Sequence, residues 1–321
     1  MSLAPSPEVL TVGETMAALR ATGRVRLGAP MELSVAGAEA NVAIGLARLG
    51  HRAGWIGRVG DDEFGQLVLR TLRAEQVAVE HARIDPDGRP TGLLTREGRI
   101  GDLVRVGYYR AGSAGSALRA EDVLPALTPA VRVLHLTGIT PALSPTAADA
   151  VLTAARRARE LGTTVSLDLN YRARLWDPEQ ARAVLLPLAR SADVLFASAD
   201  ELQLVSENPA LPEGEAVAAL LAQGRREVVI TRGGDGASVS TAAGTLAAAA
   251  RRVPVVDVVG AGDAFVAGYL SALLDGLDPA ARLERAVTTG AFAVTTRGDW
   301  EGLPTREDLT LLDQPAGTTL R

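Results

Sequence analysis

Residues 253–270 read VPVVDVVGAGDAFVAGYL, and this stretch decides the fold that we expect. Its first half, residues 253–258, is rich in β-branched side chains and predicts a strand. Its second half follows Gly260 and Gly262 with apolar residues at helical spacing, which predicts a helix. A strand that enters a helix through a glycine turn is typical of α/β proteins with a parallel sheet.

The glycine turn also has a chemical consequence. Glycines at this junction leave the first N–H groups of the helix unpaired and directed at whatever lies above the sheet. Because the helix dipole adds partial positive charge there, the turn predicts an anion hole suited to a phosphoryl group. Asp263 follows directly, and on its own it is best interpreted as a simple partner of the helix dipole.

Beyond the first quarter of the chain, short β-branched runs alternate with longer amphipathic patterns. This alternation predicts a three-layer α/β/α domain with a mainly parallel sheet covered by helices on both faces. The candidate strands are residues 9–13, 53–59, 131–136, 164–169, 194–197, 227–231, 237–240 and 253–258. The candidate helices are residues 39–49, 146–161 and 178–190.

Two stretches, residues 15–35 and 89–110, interrupt the alternation and contain strand-like runs at 92–95 and 103–109. Neither stretch is long or apolar enough to form its own core. We therefore expect a small β-sheet lid inserted in one domain that spans residues 1–321. An exposed lid edge invites pairing with a second copy, so we also expect a homo-oligomer formed through the lid.

The composition excludes several classes of site. The chain of 321 residues has no cysteine, so disulfides, thiolate nucleophiles and cysteine metal sites are excluded. All 33 basic residues are arginines, which excludes a lysine phosphate loop and a Schiff-base lysine. Any phosphate must therefore be held by backbone N–H groups, arginine or a metal ion.

Charge and hydropathy argue against two kinds of partner, nucleic acid and membranes. The net charge of −5 is made of interspersed signs without a basic block, so nucleic acid is not an expected partner. The start of the chain lacks a signal-peptide pattern, and no apolar run of about 18 residues follows. We therefore expect no membrane association and a cytoplasmic protein. The motifs of nicotinamide-binding proteins and of serine hydrolases are also absent from the sequence.

Three glycine turns at predicted strand ends suggest one shared crevice. They are GAEAN at residues 37–41, TRGGDG at 231–236, and GAGD at 260–263. In open α/β sheets, ligands bind beyond the carboxyl ends of the strands, where such turns gather. Taken alone, each turn is more often an ordinary loop, and 231–236 is equally consistent with a simple hairpin.

The sequence resembles the ribokinase-like (phosphofructokinase B-type) carbohydrate kinases along essentially its whole length. Residues 37–50 and 257–268 are similar to the two signatures of that family. Within the family, four runs look most like 2-keto-3-deoxygluconate kinases. They are residues 108–118, 135–145, 167–172 and 297–301.

The resemblance implies a ribokinase-like fold and transfer of the γ-phosphoryl of ATP to the terminal 6-hydroxyl of 2-keto-3-deoxygluconate. Asp263 would be the general base, while the N–H groups of Gly260, Ala261 and Gly262 would hold the transferring phosphoryl. Kinases of ribose, fructose or 5-dehydro-2-deoxygluconate are the alternatives from the same class. A sugar- and nucleotide-binding regulatory module without catalytic activity is the alternative from another class.

The same resemblance assigns the sugar contacts. They are Gly37, Ala38, Asn41, Tyr108, Arg110, Arg172 and Asp299. The two arginines suit this assignment, because a guanidinium binds a sugar-acid carboxylate in bidentate fashion. Without the resemblance, a lid or surface salt bridge would be the better interpretation of both.

For ATP, the positions that match the family are Ser198, Thr231, Gly233, Asp235, Gly236, Gly260 and Gly262. Mg²⁺ would bridge the phosphates, and Glu201 would act on it indirectly through water. Three positions depart from the family pattern. Ser198 stands where the family has Asn, Leu94 stands where some relatives have a lid tyrosine, and Val258 stands where Thr or Pro is usual.

Overall fold

A mainly parallel β-sheet forms the centre of the computed structural model, which describes residues 6–100 and 103–314. In all its sheets together, the described part of the chain has the strands β1 (Val9–Val12), β2 (Met16–Ala21), β3 (Met31–Ala36), β4 (Ala53–Ile56), β5 (Arg58–Val59), β6 (Arg83–Ile84), β7 (Leu93–Ile100), β8 (Leu103–Tyr109), β9 (Val133–Thr137), β10 (Thr164–Asp168), β11 (Val194–Ser198), β12 (Glu227–Thr231), β13 (Ala237–Thr241) and β14 (Gly244–Ala248). Its helices are α1 (Ala38–Arg48), α2 (Glu63–Ala74), α3 (Ala120–Val123), α4 (Pro145–Glu160), α5 (Pro178–Arg190), α6 (Glu213–Ala222), α7 (Ala261–Leu274) and α8 (Pro279–Val294).

Within these described ranges, the central sheet has eight strands in the order β14-β13-β12-β11-β10-β9-β1-β4. The six strands from β12 to β4 run parallel, and β13 and β14 add an antiparallel hairpin at one edge. The carboxyl ends of the parallel strands therefore meet at one edge of the sheet, where ligands bind in such folds. The predicted mainly parallel sheet is confirmed.

Helices cover both faces of this sheet. Along β11, Leu195 packs in the cluster with α4, α5 and α6, whereas Phe196 packs in the cluster with α1, α2, α7 and α8. This alternation follows from the two-residue period of a strand. It produces the predicted three-layer α/β/α arrangement. No helix in the described part of the chain is both long and apolar enough to cross a membrane.

The three predicted helices are confirmed as α1, α4 and α5. Side-chain caps encode the starts of α4 and α5 in the local sequence. The helix α5 begins at Pro178 after Asp177, whose side chain accepts the N–H of Gln180 in a capping box. Ser144 caps α4 in the same way, by accepting the N–H of Ala147. Proline at the first helical position reinforces both starts.

A separate four-stranded sheet lies at the predicted lid stretches, in the order β3-β2-β7-β8. Its inner face carries a small apolar cluster formed by Met16, Ala18, Ala36 and Leu94. The strand-like runs are confirmed, although β7 extends beyond the predicted residues 92–95. Of the lid stretch 89–110, residues 101 and 102 lie outside the described part, as do residues 1–5 and 315–321 of the whole chain.

The predicted strand at residues 253–258 is wrong. This segment is irregular, and the N–H groups of Val256 and Asp257 both donate to the carbonyl of Val294 at the end of α8. Pro254 has no N–H to offer a strand partner, and the side chains of Val255 and Val256 are exposed. The β14 strand, which the sequence did not predict, forms the edge of the sheet instead.

Candidate functional site

A cleft of about 500 Å³ lies between the lid sheet and the carboxyl ends of the central strands. All the predicted sugar contacts line it, namely Gly37, Ala38, Asn41, Tyr108, Arg110, Arg172 and Asp299. Gly260, Gly262, Asp263, Thr231 and Glu201 line it as well. The fold thus gathers residues that are more than 200 positions apart in sequence around one cavity.

Asp263 lies in the first turn of α7 and accepts a hydrogen bond from Nδ2 of Asn41, with 2.7 Å between Asn41 Nδ2 and Asp263 Oδ2. The two side chains meet because α1 and α7 approach closely at Gly45, where any Cβ would lie 2.6 Å from the Cβ of Ala267. Burial raises the pKa of Asp263 to about 7, although the hydrogen bond from Asn41 lowers it. Asp263 is therefore balanced between its neutral and charged forms near neutral pH.

The glycine corner, Gly260 to Gly262, precedes Asp263. Gly260 has a φ of +75°, and a Cβ there would lie 1.9 Å from the carbonyl oxygen of Asp299, so the position accepts only glycine. Gly260 and Gly262 line the cleft. The N–H of Ala261 makes a long bond of 3.4 Å to the carbonyl of Val258, which leaves it less available than a free amide.

Acidic side chains surround this corner. Burial raises the pKa of Asp168, at the end of β10, and the nearby charges of Glu201 and Asp263 raise it further. Burial also raises the pKa of Asp299 to about 6, against the opposing charge of Arg96. Asp168 lies in the run 167–172, but it was not predicted as a site residue. Its position at the end of a predicted parallel strand was the available signal.

Glu201 supports the backbone at the floor of the cleft. Its Oε2 accepts the N–H of Ser198 at 2.8 Å, and its Oε1 accepts the N–H of Tyr171 at 2.6 Å. Among the residues that the structure describes, no cluster of three or more His, Cys, Asp or Glu residues could hold a metal ion on its own. Asp168 and Glu201 both line the cleft and their charges repel each other, so their carboxylates suit a divalent cation that would relieve this repulsion.

The residues predicted to bind ATP are only partly gathered in the cleft. Ser198 and Thr231 are paired neighbours at the ends of β11 and β12, and Thr231 lines the cleft. The loop containing Gly233 and Gly236 connects β12 to β13 as a hairpin, and both glycines have positive φ. Asp235 lines a different groove, between α6 and β13.

The two predicted carboxylate-binding arginines differ in their surroundings. Arg110 donates from Nε to Glu14 at 2.6 Å, and Ser113 donates to the same buried carboxylate. The guanidinium of Arg110 also lies over the ring of Tyr108, 5.6 Å from its centroid. Arg172 is exposed and, within the described residues, donates a hydrogen bond to the adjacent backbone carbonyl alone, although its charge lowers the pKa of Asp168 and Asp263. Arg172 is therefore the freer cation, and Glu14 is a cleft residue that sequence reasoning missed.

Two buried amide oxygens have no hydrogen-bond partner within the described residues, Asn41 Oδ1 and Asn170 Oδ1. Both residues line the cleft. A buried acceptor without a donor is costly, so a hydroxyl-bearing ligand would satisfy both. Sequence reasoning also missed Asn170, which has the uncommon positive φ of 39°.

Residues 6–306 match the model of the pfkB family carbohydrate kinases. The chain belongs to this family. It is therefore a phosphotransferase with an alcohol group as acceptor. The resemblance carried by residues 37–50 and 257–268 is confirmed.

Individual relatives agree with the family match. The chain is 39% identical over 307 residues to the 2-dehydro-3-deoxygluconokinase of Bacillus subtilis strain 168, with 94% of each chain covered. The crystal structure of a 2-dehydro-3-deoxygluconokinase from Thermotoga maritima is 29% identical and has a TM-score of 0.86, covering 95% of this chain and 99% of the other. An E. coli protein described as a candidate ribokinase II, solved with ATP and Mg²⁺, is 26% identical with a TM-score of 0.87, covering 96% and 99%. These likenesses confirm the ribokinase-like fold.

Proposed function

We propose that this carbohydrate kinase transfers the γ-phosphoryl of ATP to the 6-hydroxyl of 2-keto-3-deoxygluconate, also called 2-dehydro-3-deoxygluconate. The observation that carries the proposal is the joining of Asp263, the glycine corner and two guanidinium groups in one cleft. The names of the Bacillus and Thermotoga relatives support the same substrate.

Asp263 acts as the base in this proposal. The 6-hydroxyl oxygen attacks the γ-phosphorus, the bond from that phosphorus to the β-phosphate oxygen breaks, and ADP leaves. The hydroxyl proton passes to Asp263. In a loose phosphoryl-transfer transition state the proton leaves late, so a carboxylate with a pKa of about 7 is a competent acceptor.

The glycine corner stabilises the charge on the transferring group. Gly260 and Gly262 line the cleft at the N-terminus of α7, where the helix dipole favours anions, and their N–H groups would donate to the phosphoryl oxygens. Ala261 contributes more weakly because its N–H is already engaged at 3.4 Å. Such preorganised donors commonly supply the largest part of catalysis.

ATP and Mg²⁺ are proposed on the far side of the glycine corner. Ser198, Thr231, Gly233 and Gly236 would hold the phosphates and ribose, while Asp235 would contact the nucleotide only at the outer end of the hairpin. Mg²⁺, when bound, would neutralise part of the phosphate charge. Asp168 and Glu201 would hold that ion, Glu201 through water because both of its oxygens already accept backbone N–H groups.

An open sugar acid fits the opposite side. Its carboxylate would bind Arg172, with Nη1 of Arg110 as a second donor, because Nε and Nη2 of Arg110 already contact Glu14. Its hydroxyls would donate to the unpaired oxygens of Asn41 and Asn170. A neutral sugar would offer no carboxylate to Arg172, so this arginine favours an acidic substrate over ribose or fructose.

The decisive experiment measures ADP release with a panel of acceptors. The panel contains 2-keto-3-deoxygluconate, its C4 epimer, 5-dehydro-2-deoxygluconate, fructose and ribose, with the Asp263→Asn variant as the background. We expect kcat/KM to be highest for 2-keto-3-deoxygluconate, and NMR of the product to locate the phosphate on O6. Faster turnover of fructose or ribose would refute the substrate. Calorimetric binding of sugar and ATP without turnover would favour the regulatory module instead.

We further propose that the outer face of the lid sheet pairs with a second copy of this chain. Leu33 and Tyr109 on that face are 48% and 66% exposed. In the strand register Leu33 is opposite the partly buried Leu19, and Tyr109 is opposite the partly buried Leu93, so each of the four strands carries an apolar side chain on this face. Sedimentation velocity should give a dimer for the wild type and a monomer for Leu33→Glu. A wild type that sediments as a monomer at micromolar concentration would contradict this assembly.

A further inference from the structure

The lid is attached to the body by an arginine that no part of the proposed chemistry uses. Arg96 lies on β7 of the lid, and its side chain is largely buried. Its Nη2 forms a short ion pair with Asp257, and its Nη1 lies 3.9 Å from Oδ1 of Asp299. A single guanidinium therefore links the lid to two acids from different loops of the body.

Both Asp257 and Asp299 contact the backbone around the glycine corner. The Oδ1 of Asp257 accepts the N–H of Val259 at 3.2 Å, and its Oδ2 accepts the N–H of Gly298 at 3.3 Å. Gly260 in turn packs directly against the carbonyl of Asp299. Asp257 thus ties residues 257–260 to residues 298–299, and its hold on both depends on the carboxylate remaining charged.

Arg96 also keeps two like charges apart. Asp257 and Asp299 repel each other, and the guanidinium lies close to both. Without it, the two carboxylates would face each other in a largely buried space, which is costly for both. Although burial opposes ionisation, the hydrogen bonds from Arg96, Val259 and Gly298 lower the pKa of Asp257, so that it is charged when the lid is in place.

A second attachment of the lid, at Glu301, contacts other parts of the body. Arg20 of β2 and Ser34 of β3 both donate to Glu301, Ser34 at 2.8 Å. Glu301 also accepts the N–H of Trp300 at 3.2 Å, and the hydrogen bonds of its carboxylate include none from residues 257–262. The Arg20 contact packs against Gly298 but makes no hydrogen bond to residues 257–262, whereas the Arg96 contact reaches them through Asp257.

We propose that Arg96 is a positioning residue that couples closure of the lid over the sugar to the geometry of the glycine corner that binds the phosphoryl group. The corner reaches its working shape only when β7 is docked. This kinetic consequence rests on the proposed function, whereas the structural coupling can be tested without any substrate.

The structural test is hydrogen exchange of the ligand-free protein. We expect Arg96→Gln to speed exchange at least about fivefold, both in β7 and in residues 257–263. The matched control is Arg105→Gln, an exposed arginine on the neighbouring strand β8, which should change neither segment. Arg20→Gln should speed exchange in the lid strands more than at residues 257–263, because Arg20 makes no hydrogen bond to Asp257. Unchanged exchange at 257–263 in Arg96→Gln would overturn the coupling.

The kinetic test separates positioning from general destabilisation. We expect Arg96→Gln to lower kcat about tenfold or more with a smaller change in the KM of ATP, and Arg96→Lys to recover part of the loss. Asp257→Asn should cost a similar factor, and the double variant should be little worse than either single one. Additive losses would overturn the proposal. If the wild type phosphorylates no sugar acid but exchange is coupled as above, the proposed function fails and the coupling stands.

Discussion

The two ends of α7 carry aspartates that behave in opposite ways. Asp263, in the first turn, has a pKa raised by burial to about 7. Asp275, at the C-terminal cap, is also penalised by burial, but hydrogen bonds from Arg306 and Arg285 lower its pKa to about 2. The helix dipole alone would do the reverse, because it favours an anion at the N-terminus and disfavours one at the C-terminus.

The difference lies in the partners that each end supplies. Asp275 accepts hydrogen bonds from two arginines at 2.6 and 2.7 Å, whereas Asp263 accepts one from the neutral amide of Asn41 at 2.7 Å. Burial and direct partners therefore outweigh the dipole at both ends. At the catalytic end the charge of Arg172 also lowers the pKa of Asp263, but among the described residues no arginine donates a hydrogen bond to this carboxylate. Burial therefore dominates there, and the raised pKa suits an acid that exchanges a proton near neutral pH.

Removing the acid from the catalytic end should have the largest effect. We expect Asp263→Asn to lower kcat by about 10²–10⁴-fold, because the attacking hydroxyl loses both its orientation and its proton acceptor. The amide is nearly isosteric, so the melting temperature should change little and ATP should still bind, as calorimetry would reveal. Turnover close to that of the wild type would mean that the raised pKa has no catalytic role.

The next largest effect is expected for the arginine that binds the sugar-acid carboxylate near the N-terminus of α7. Arg172→Gln should raise the KM of the sugar acid about 10–100-fold, which corresponds to the loss of a charge-assisted hydrogen-bond pair. The KM of ATP should change less than about twofold. Arg156→Gln, on the exposed face of α4, is the matched control and should leave both constants unchanged. Equal increases in both KM values would point to a folding defect instead.

A smaller effect is expected when the pKa of Asp263 is changed and the carboxylate is kept. In the wild type, kcat/KM should rise with pH around 7 as Asp263 ionises. Asn41→Leu removes the hydrogen bond that favours the charged form, so the pKa rises and this limb should shift upward by roughly 1 pH unit. The limb should be absent in Asp263→Asn. A downward shift, or none, would show that Asn41 does not stabilise the carboxylate.

Most of the fold could be predicted from sequence because its determinants are local. Asp177 and Pro178 encode the start of α5. Gly260 encodes the glycine corner, because glycine adopts the positive φ of 75° there without strain. The strand predicted at residues 253–258 is wrong because there the local pattern is overridden by other features. The β-branched run favours a strand, but Pro254 and the missing sheet neighbour prevent one, and β14 occupies the edge through pairing with β13.

The site was predictable where one residue type is required and was missed where function depends on distant contacts. Asp263 follows its glycines directly in sequence. Glu14 meets Arg110 across 96 positions, and Arg96 meets Asp257 across 161. No local pattern distinguishes such carboxylates and guanidiniums from ordinary surface charges, because their roles arise only when the lid folds over the sheet.

The smallest effect on activity is expected at the far end of α7. With 14 residues in the helix, Asp275 lies roughly 20 Å from Asp263, so Asp275→Asn should leave kcat and both KM values unchanged.

Its effect should appear in stability instead. A lowered folded-state pKa contributes stability that is present above the unfolded value of about 3.8 and is lost as pH falls towards 2. Since Asp275 is partly exposed, we expect Asp275→Asn to lower the free energy of unfolding by about 1–2 kcal/mol at pH 7. In urea titrations, the gap between variant and wild type should narrow below pH 4 and close near pH 2. A gap that is independent of pH would mean that the two arginines stabilise the fold by packing rather than through the charge of Asp275, and the contrast between the two ends of the helix would lose its electrostatic basis.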